Sequence, residues 1–172
     1  RPVEGGYTDV ICQGKYYALP EDLKWKDMED KYQNAERIVA RYRDFCEKHV
    51  FLAESFPNLN IDFGPGSLAS YLGSDIGFKE DTVWFKPCLE DWEGVPEFHF
   101  DPENSWFKKH IELAEKCREL AGDDFYVDMP DLMENVDVLA SPRGAQEMLY
   151  DTIVEPVIVK ERVDKSNALH YG

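Results

Sequence analysis

The sequence predicts an α/β chain with parallel strands, and three observations lead there. A long amphipathic helical stripe stops at Gly122 and is followed at once by the apolar run Phe125-Tyr126-Val127-Asp128-Met129. An earlier helical stripe, Glu29 to Lys48, precedes short extended runs. One of those runs leads straight into a Gly64-Pro65-Gly66 break. Helix, glycine, strand in that order is the punctuation of a parallel sheet wound with helices.

Tyr7 to Tyr17 alternates loosely and reads as an extended segment, and Trp25 to Asp30 as a lead-in. Ala35, Ile38, Val39, Tyr42, Phe45, Cys46 and His49 share one face at helical spacing, which predicts one helix from Glu29 to Lys48. His49 then sits against the helix C-terminus, where positive charge is favourable. Val50 to Ala53 reads as a short strand and Asn58 to Phe63 as an extended run. The glycines at 64 and 66 permit positive φ or a close backbone approach. Ser67 is placed to cap a short helix through Tyr71 that Gly73 ends. Asp81 to Phe85 reads as another extended piece. Asp101 and Pro102 suit the cap and first position of a helix whose apolar face is Trp106, His110, Leu113, Ala114, Cys117, Leu120 and Ala121. Phe125 to Met129 reads as a buried strand that Pro130 stops. Ser141-Pro142 opens a helix to about Thr152, and Glu155-Pro156 opens the last.

The 172 residues include 35 acidic and 19 basic side chains, a net charge of −16. Such a surface repels phosphate backbones and anionic headgroups, which argues against nucleic acid and membrane as partners. No stretch approaches the ~20 apolar residues of a membrane span. Cys12, Cys46, Cys88 and Cys117 form no C-x-x-C pair, and His49, His99, His110 and His170 form no H-E-x-x-H, so no metal site is expected from this chain alone. Without a basic-then-apolar leader, a cytoplasmic location with reduced thiols is expected. The opening Arg1 reads as processing or as a segment of a longer chain.

Working residues of parallel α/β enzymes gather beyond the carboxyl ends of strands. Two places fit. One is Asp62-Phe63 at the Gly-Pro-Gly turn; the other runs from Asp128 through Asp131, Glu134 and Asn135 to Asp137. Crowded carboxylates raise the pKa of at least one of them, which supplies a general acid. The competing reading gives Asp131 and Asp137 to turns and leaves the rest in water. Trp84, Phe85 and Trp92 could wall a cavity for a flat ligand, or simply pack the core. Arg143 could grip a substrate carboxylate as a planar fork, or pair with Glu147. Asp62 and Asp128 are therefore the catalytic candidates, and Phe63, Trp84, Asp131, Asn135 and Arg143 the substrate-binding ones.

Three runs resemble proteins of the uroporphyrinogen decarboxylase superfamily: IDFGPGSLASYLGSDIGF (Ile61 to Phe78), DTVWF (Asp81 to Phe85) and DFYVDMPDLMENVDVLASPRGAQEMLYD (Asp124 to Asp151). The similarity spans about Phe51 to Val159 and is strongest to the divergent decarboxylase-like branch. It implies a (β/α)₈ barrel, a domain of ~250 residues. The chain would then comprise a lead-in, residues 1–28, and a partial barrel, residues 29–172, equivalent mainly to the N-terminal half. Another segment or chain would complete it, and a homo-oligomer is one way to do so.

Family decarboxylases act on a small-molecule tetrapyrrole without a cofactor, through an aspartate that meets pyrrole N–H groups; Asp62 matches it by approximate position. Their N-terminal RQAGRY motif is not found here, and Arg1 is the single arginine before Arg37. A related branch transfers methyl groups between a corrinoid protein and a thiol, on zinc held by His and Cys of the C-terminal half. A third expectation is a non-catalytic subunit that supports a partner.

Overall fold

Two side-chain caps set the first helices. The Asp27 carboxylate accepts from Asp30 N at 2.8 Å and opens α1, Met28–Gln33. Asn34 Oδ1 accepts from Arg37 N at 3.0 Å and opens α2, Ala35–Lys48. The single helix expected over 29–48 is thus broken at Asn34, whose extended backbone (ψ 95°) stops one helix while its amide starts the next. An ion pair from Arg37 to Asp30 at 2.6 Å closes the joint. Arg41 lies over the Trp25 ring at 3.8 Å and holds the lead-in against α2. The His49 ring donates from Nδ1 to the Phe45 carbonyl at 2.6 Å, satisfying an orphan carbonyl of the last turn.

The computed structural model describes residues 20–61, 63–64, 66–79, 82–92, 101–128, 130, 132 and 136–171. The extended segment expected over Tyr7 to Tyr17 lies outside them. The chain divides into two compact units, residues 1–61 with 112–129, and residues 62–111 with 130–172. No helix among the described residues is long and apolar enough to cross a membrane.

In the first unit β1, Asn58–Leu59, pairs in parallel with β4, Tyr126–Val127. The parallel pairing is the one expected from helix, glycine, strand order. Gly122, at φ +58°, ends the preceding helix α4 (Ser105–Ala121) in the left-handed conformation that a side chain disfavours. Tyr126 is exposed, so β4 is covered on one face only and is not the buried strand expected. The strand expected at Val50 to Ala53 is a turn in which Ala53 takes φ 52°. Helix α2 packs on the pair through Tyr42, whose ring meets Phe125 edge-on at 4.8 Å. Arg43 bonds Asp124 and the Leu120 carbonyl, pinning the loop before β4.

In the second unit, helix α3 (Ser67–Tyr71) follows the glycine turn. Gly66 caps it, and Ser67 is its first residue; the Ser67 hydroxyl turns back to the Gly64 carbonyl at 2.8 Å. β2, Ile76–Phe78, and β3, Val83–Phe85, form an antiparallel hairpin, with Gly77 opposite Trp84. The glycine turn lies hard against β3. A Cβ on Gly64 (φ +99°) would stand 2.8 Å from Val83 Cβ, and one on Gly66 2.6 Å from the Phe85 ring. Gly64→Ala is therefore expected to cost about 2–3 kcal/mol, seen as a lowered urea midpoint.

Asn104, not Asp101, caps α4: its Oδ1 accepts from Trp106 N at 2.9 Å and Phe107 N at 3.0 Å. Its amide donates to the Ser70 and Tyr71 carbonyls, tying α4 to the end of α3. Asp101 instead closes a local turn onto Glu103 N. Helices α5 (Val136–Arg143), α6 (Ala145–Val154) and α7 (Pro156–Tyr171) complete the unit around Leu139, Met148, Val159 and Trp92. Ser141-Pro142 thus ends a helix instead of opening one. Gly144, at φ +95°, makes the corner between α5 and α6. The described residues form a mixed α/β chain, predominantly helical, with one parallel and one antiparallel strand pair.

Candidate functional site

The site that the fold itself presents lies in the first unit, at the carboxyl end of β4. Asp128 N donates to the Leu59 carbonyl at 2.9 Å, so the residue continues the parallel ladder one step past the strand. Its carboxylate accepts from Asn58 Nδ2 at 2.7 Å. The register pairs Asn58 with Tyr126, so Asn58 and Asp128 lie on one face of the ladder, two positions apart. Asn58 is itself fixed, because its backbone N donates to the Tyr42 hydroxyl at 2.6 Å. An exposed carboxylate oriented by a held amide can accept N–H groups from a ligand or take up a proton. Asp128 was legible from sequence; Asn58 was not, because its role comes from the strand register.

Asp62, Asp131 and Asn135 lie outside the described residues. Phe63 belongs to an aromatic cluster of the second unit. Its ring lies 4.6 Å from that of His110, 5.7 Å from Trp106 and 6.0 Å from Phe78. The side chain is 0% exposed, so a substrate would reach it only after rearrangement. Behind it Tyr71 and His110, both buried, share a 2.7 Å hydrogen bond between Oη and Nδ1. Burial pushes the Tyr71 phenol up to about 12, so the hydroxyl keeps its proton within this hydrogen bond. Nothing in the sequence spacing announced this pair.

Trp84 projects from β3 with 59% of its surface exposed, Lys79 standing 5.7 Å over the ring. Trp92 instead lines a cleft of about 270 Å³ with Asp91, Arg143, Tyr150, Asp151, Val154, Glu155 and Ile158. Neither Trp84 nor Phe85 is among the residues lining it, so the three aromatic candidates do not form one wall.

Arg143 has found an internal carboxylate. Its Nε donates to Asp151 Oδ2 at 2.7 Å and its Nη2 to Oδ1 at 3.3 Å. Nη1 donates to the Leu89 and Glu90 carbonyls. The ion-pair partner is thus Asp151 and not Glu147, because the corner at Gly144 turns α6 so that its second turn faces the end of α5. Trp92 Nε1 donates to the same Asp151 oxygen at 2.7 Å. The Arg143 bond holds the Asp151 carboxyl below its usual range, against the opposing effect of burial. A substrate carboxylate would have to displace Asp151 to reach the guanidinium.

Among the described residues no group of three or more His, Cys, Asp or Glu side chains is placed to hold a metal ion. Comparison with family models, with curated proteins and with solved structures returns no match for the chain.

Proposed function

We propose that the chain is the N-terminal part of a uroporphyrinogen decarboxylase-like (β/α)₈ barrel that acts on a tetrapyrrole or another carboxylated substrate by acid–base chemistry. The reading rests on the resemblance of three runs in the sequence. It is supported by the parallel β1–β4 pair, with α4 leading into β4. The observation that carries the site is Asp128, set beyond the end of β4 and held by the Asn58 amide. Loss of carbon dioxide leaves an electron pair on the neighbouring carbon, which a proton must quench. A carboxyl group at a strand end suits that transfer, or suits reception of the N–H groups that position the substrate. Asp62 enters by sequence likeness alone.

Arg143 is committed to Asp151, so the cations that would bind a polyanionic substrate must come from elsewhere. Free thiols at Cys46, Cys88 and Cys117 suit the reducing cytoplasm in which we place the protein. The test is formation of coproporphyrinogen from uroporphyrinogen by the complete natural protein. Asp128→Asn should lower kcat by about a hundredfold, within the range of general acid–base groups, with an unchanged melting temperature. A folded wild-type protein that forms no product would overturn the decarboxylase reading. Equal kinetics for the variant would remove Asp128 from the site.

A further inference from the structure

The outward face of α6 and the first turns of α7 is apolar where a surface helix is normally polar. Leu149, Tyr150, Ile153, Val154, Val157 and Ile158 repeat at helical spacing across the Glu155 bend, and all six are exposed. Ile153 is 81% exposed and Val157 77%. The opposite face, with Met148, Asp151 and Val159, is the one turned into the unit. At full side-chain areas of the usual size these fractions leave about 700 Å² of contiguous apolar surface, beyond the roughly 300–600 Å² of the largest patch on a typical monomer.

We propose that this face is the self-association surface of the protein and that a second copy of the chain covers it. A stable dimer buries about 800 Å² on each partner, which this patch nearly supplies alone. The face also carries both halves of a self-complementary contact. Ile153 and Val157 protrude, and Tyr150, Val154 and Ile158 line the edge of the adjoining 270 Å³ cleft. An isologous pair places each copy's protruding side chains against the other's cleft, so one patch serves as both knob and hole. The rim is acidic, with Glu147, Glu155 and Glu161 exposed around it. Two such rims repel, so added salt should tighten the dimer.

The experiment is sedimentation equilibrium of the protein across the micromolar range, beside the double variant Ile153→Glu with Val157→Glu. Both positions are exposed, so the variant should keep its helical circular dichroism. The expected result is a wild-type dimer that tightens with salt, and a variant in which dimerisation is weaker by roughly thirtyfold or more. A wild-type monomer at every concentration would overturn the proposal. Were the patch of that monomer also protected from hydrogen exchange, a segment of the same chain would be its cover instead. A dimer that the two glutamates leave intact would place the association elsewhere and overturn it equally.

Discussion

Replacing Asp151 with alanine should lower the unfolding free energy by about 3 kcal/mol, the low end of what breaking a buried ion pair costs. The low end applies because the cleft admits water to one side of the pair. Two donors lose their acceptor together, the Arg143 fork and the Trp92 indole N–H, and the Leu89 and Glu90 carbonyls are left with a donor that Asp151 no longer positions. The larger part of the cost is the guanidinium left without a counter-charge. A double variant, Arg143→Met with Asp151→Leu, should accordingly recover most of the loss, because apolar groups of similar volume replace a buried pair at little cost. Urea unfolding of the two variants checks both statements. A loss as large in the double variant as in Asp151→Ala would mean that the pair acts by positioning the Leu89–Trp92 loop and not by charge.

The same pair gives a pH dependence whose sign is fixed. Arg143 depresses the folded-state carboxyl of Asp151 below its ordinary 3.8. A depressed carboxyl contributes its stability in full above the unfolded value and loses it as pH falls through the folded one. The contribution is therefore flat near neutrality and disappears in acid below 3.8. Wild-type stability should fall more steeply in that window than the stability of Asp151→Ala.

How far the sequence could lead follows from what each element depends on. Gly122 was legible because helix termination there is a local backbone requirement, met at φ +58°. The Gly64 and Gly66 turn was legible for the same reason, although its neighbours Val83 and Phe85 were not. The break at Asn34 escaped because the apolar stripe begins only at Ala35, after the break, and says nothing of how residues 29–34 join it. Periodicity registers the face of a helix. Of the β2–β3 hairpin, β3 was legible within the extended Asp81 to Phe85 run, whereas β2 and the pairing escaped because three residues are too few to show alternation. In the candidate sites, single residues were visible and partnerships were not. Asp128 stood out at the end of an apolar run, whereas Asn58 joins it through pairing across 70 positions of sequence. Arg143 stood out as a cation, but eight residues and a glycine corner separate it from Asp151.

Phe63 separates a core role from a binding role most sharply. Its place next to Asp62 at a strand end marked it for substrate contact, yet its ring is enclosed by His110, Trp106 and Phe78. Phe63→Ala should therefore cost about 3–5 kcal/mol, the loss for emptying a fully buried phenylalanine site. Phe63→Leu, which refills most of the volume, should cost less than about 1.5 kcal/mol. The cavity in the alanine variant also removes a wall from the Tyr71–His110 hydrogen bond, whose strength depends on exclusion of water. Near-ultraviolet circular dichroism should consequently lose the signal of Trp106 in the alanine variant and keep it in the leucine variant. A side chain that met substrate without supporting the core would give the opposite pattern: unchanged urea midpoints in both variants, with only the Michaelis constant raised. The edge-to-face ring cluster argues against that outcome, because no neighbour of Phe63 can fill its volume without leaving its own place against Tyr71 or Phe78.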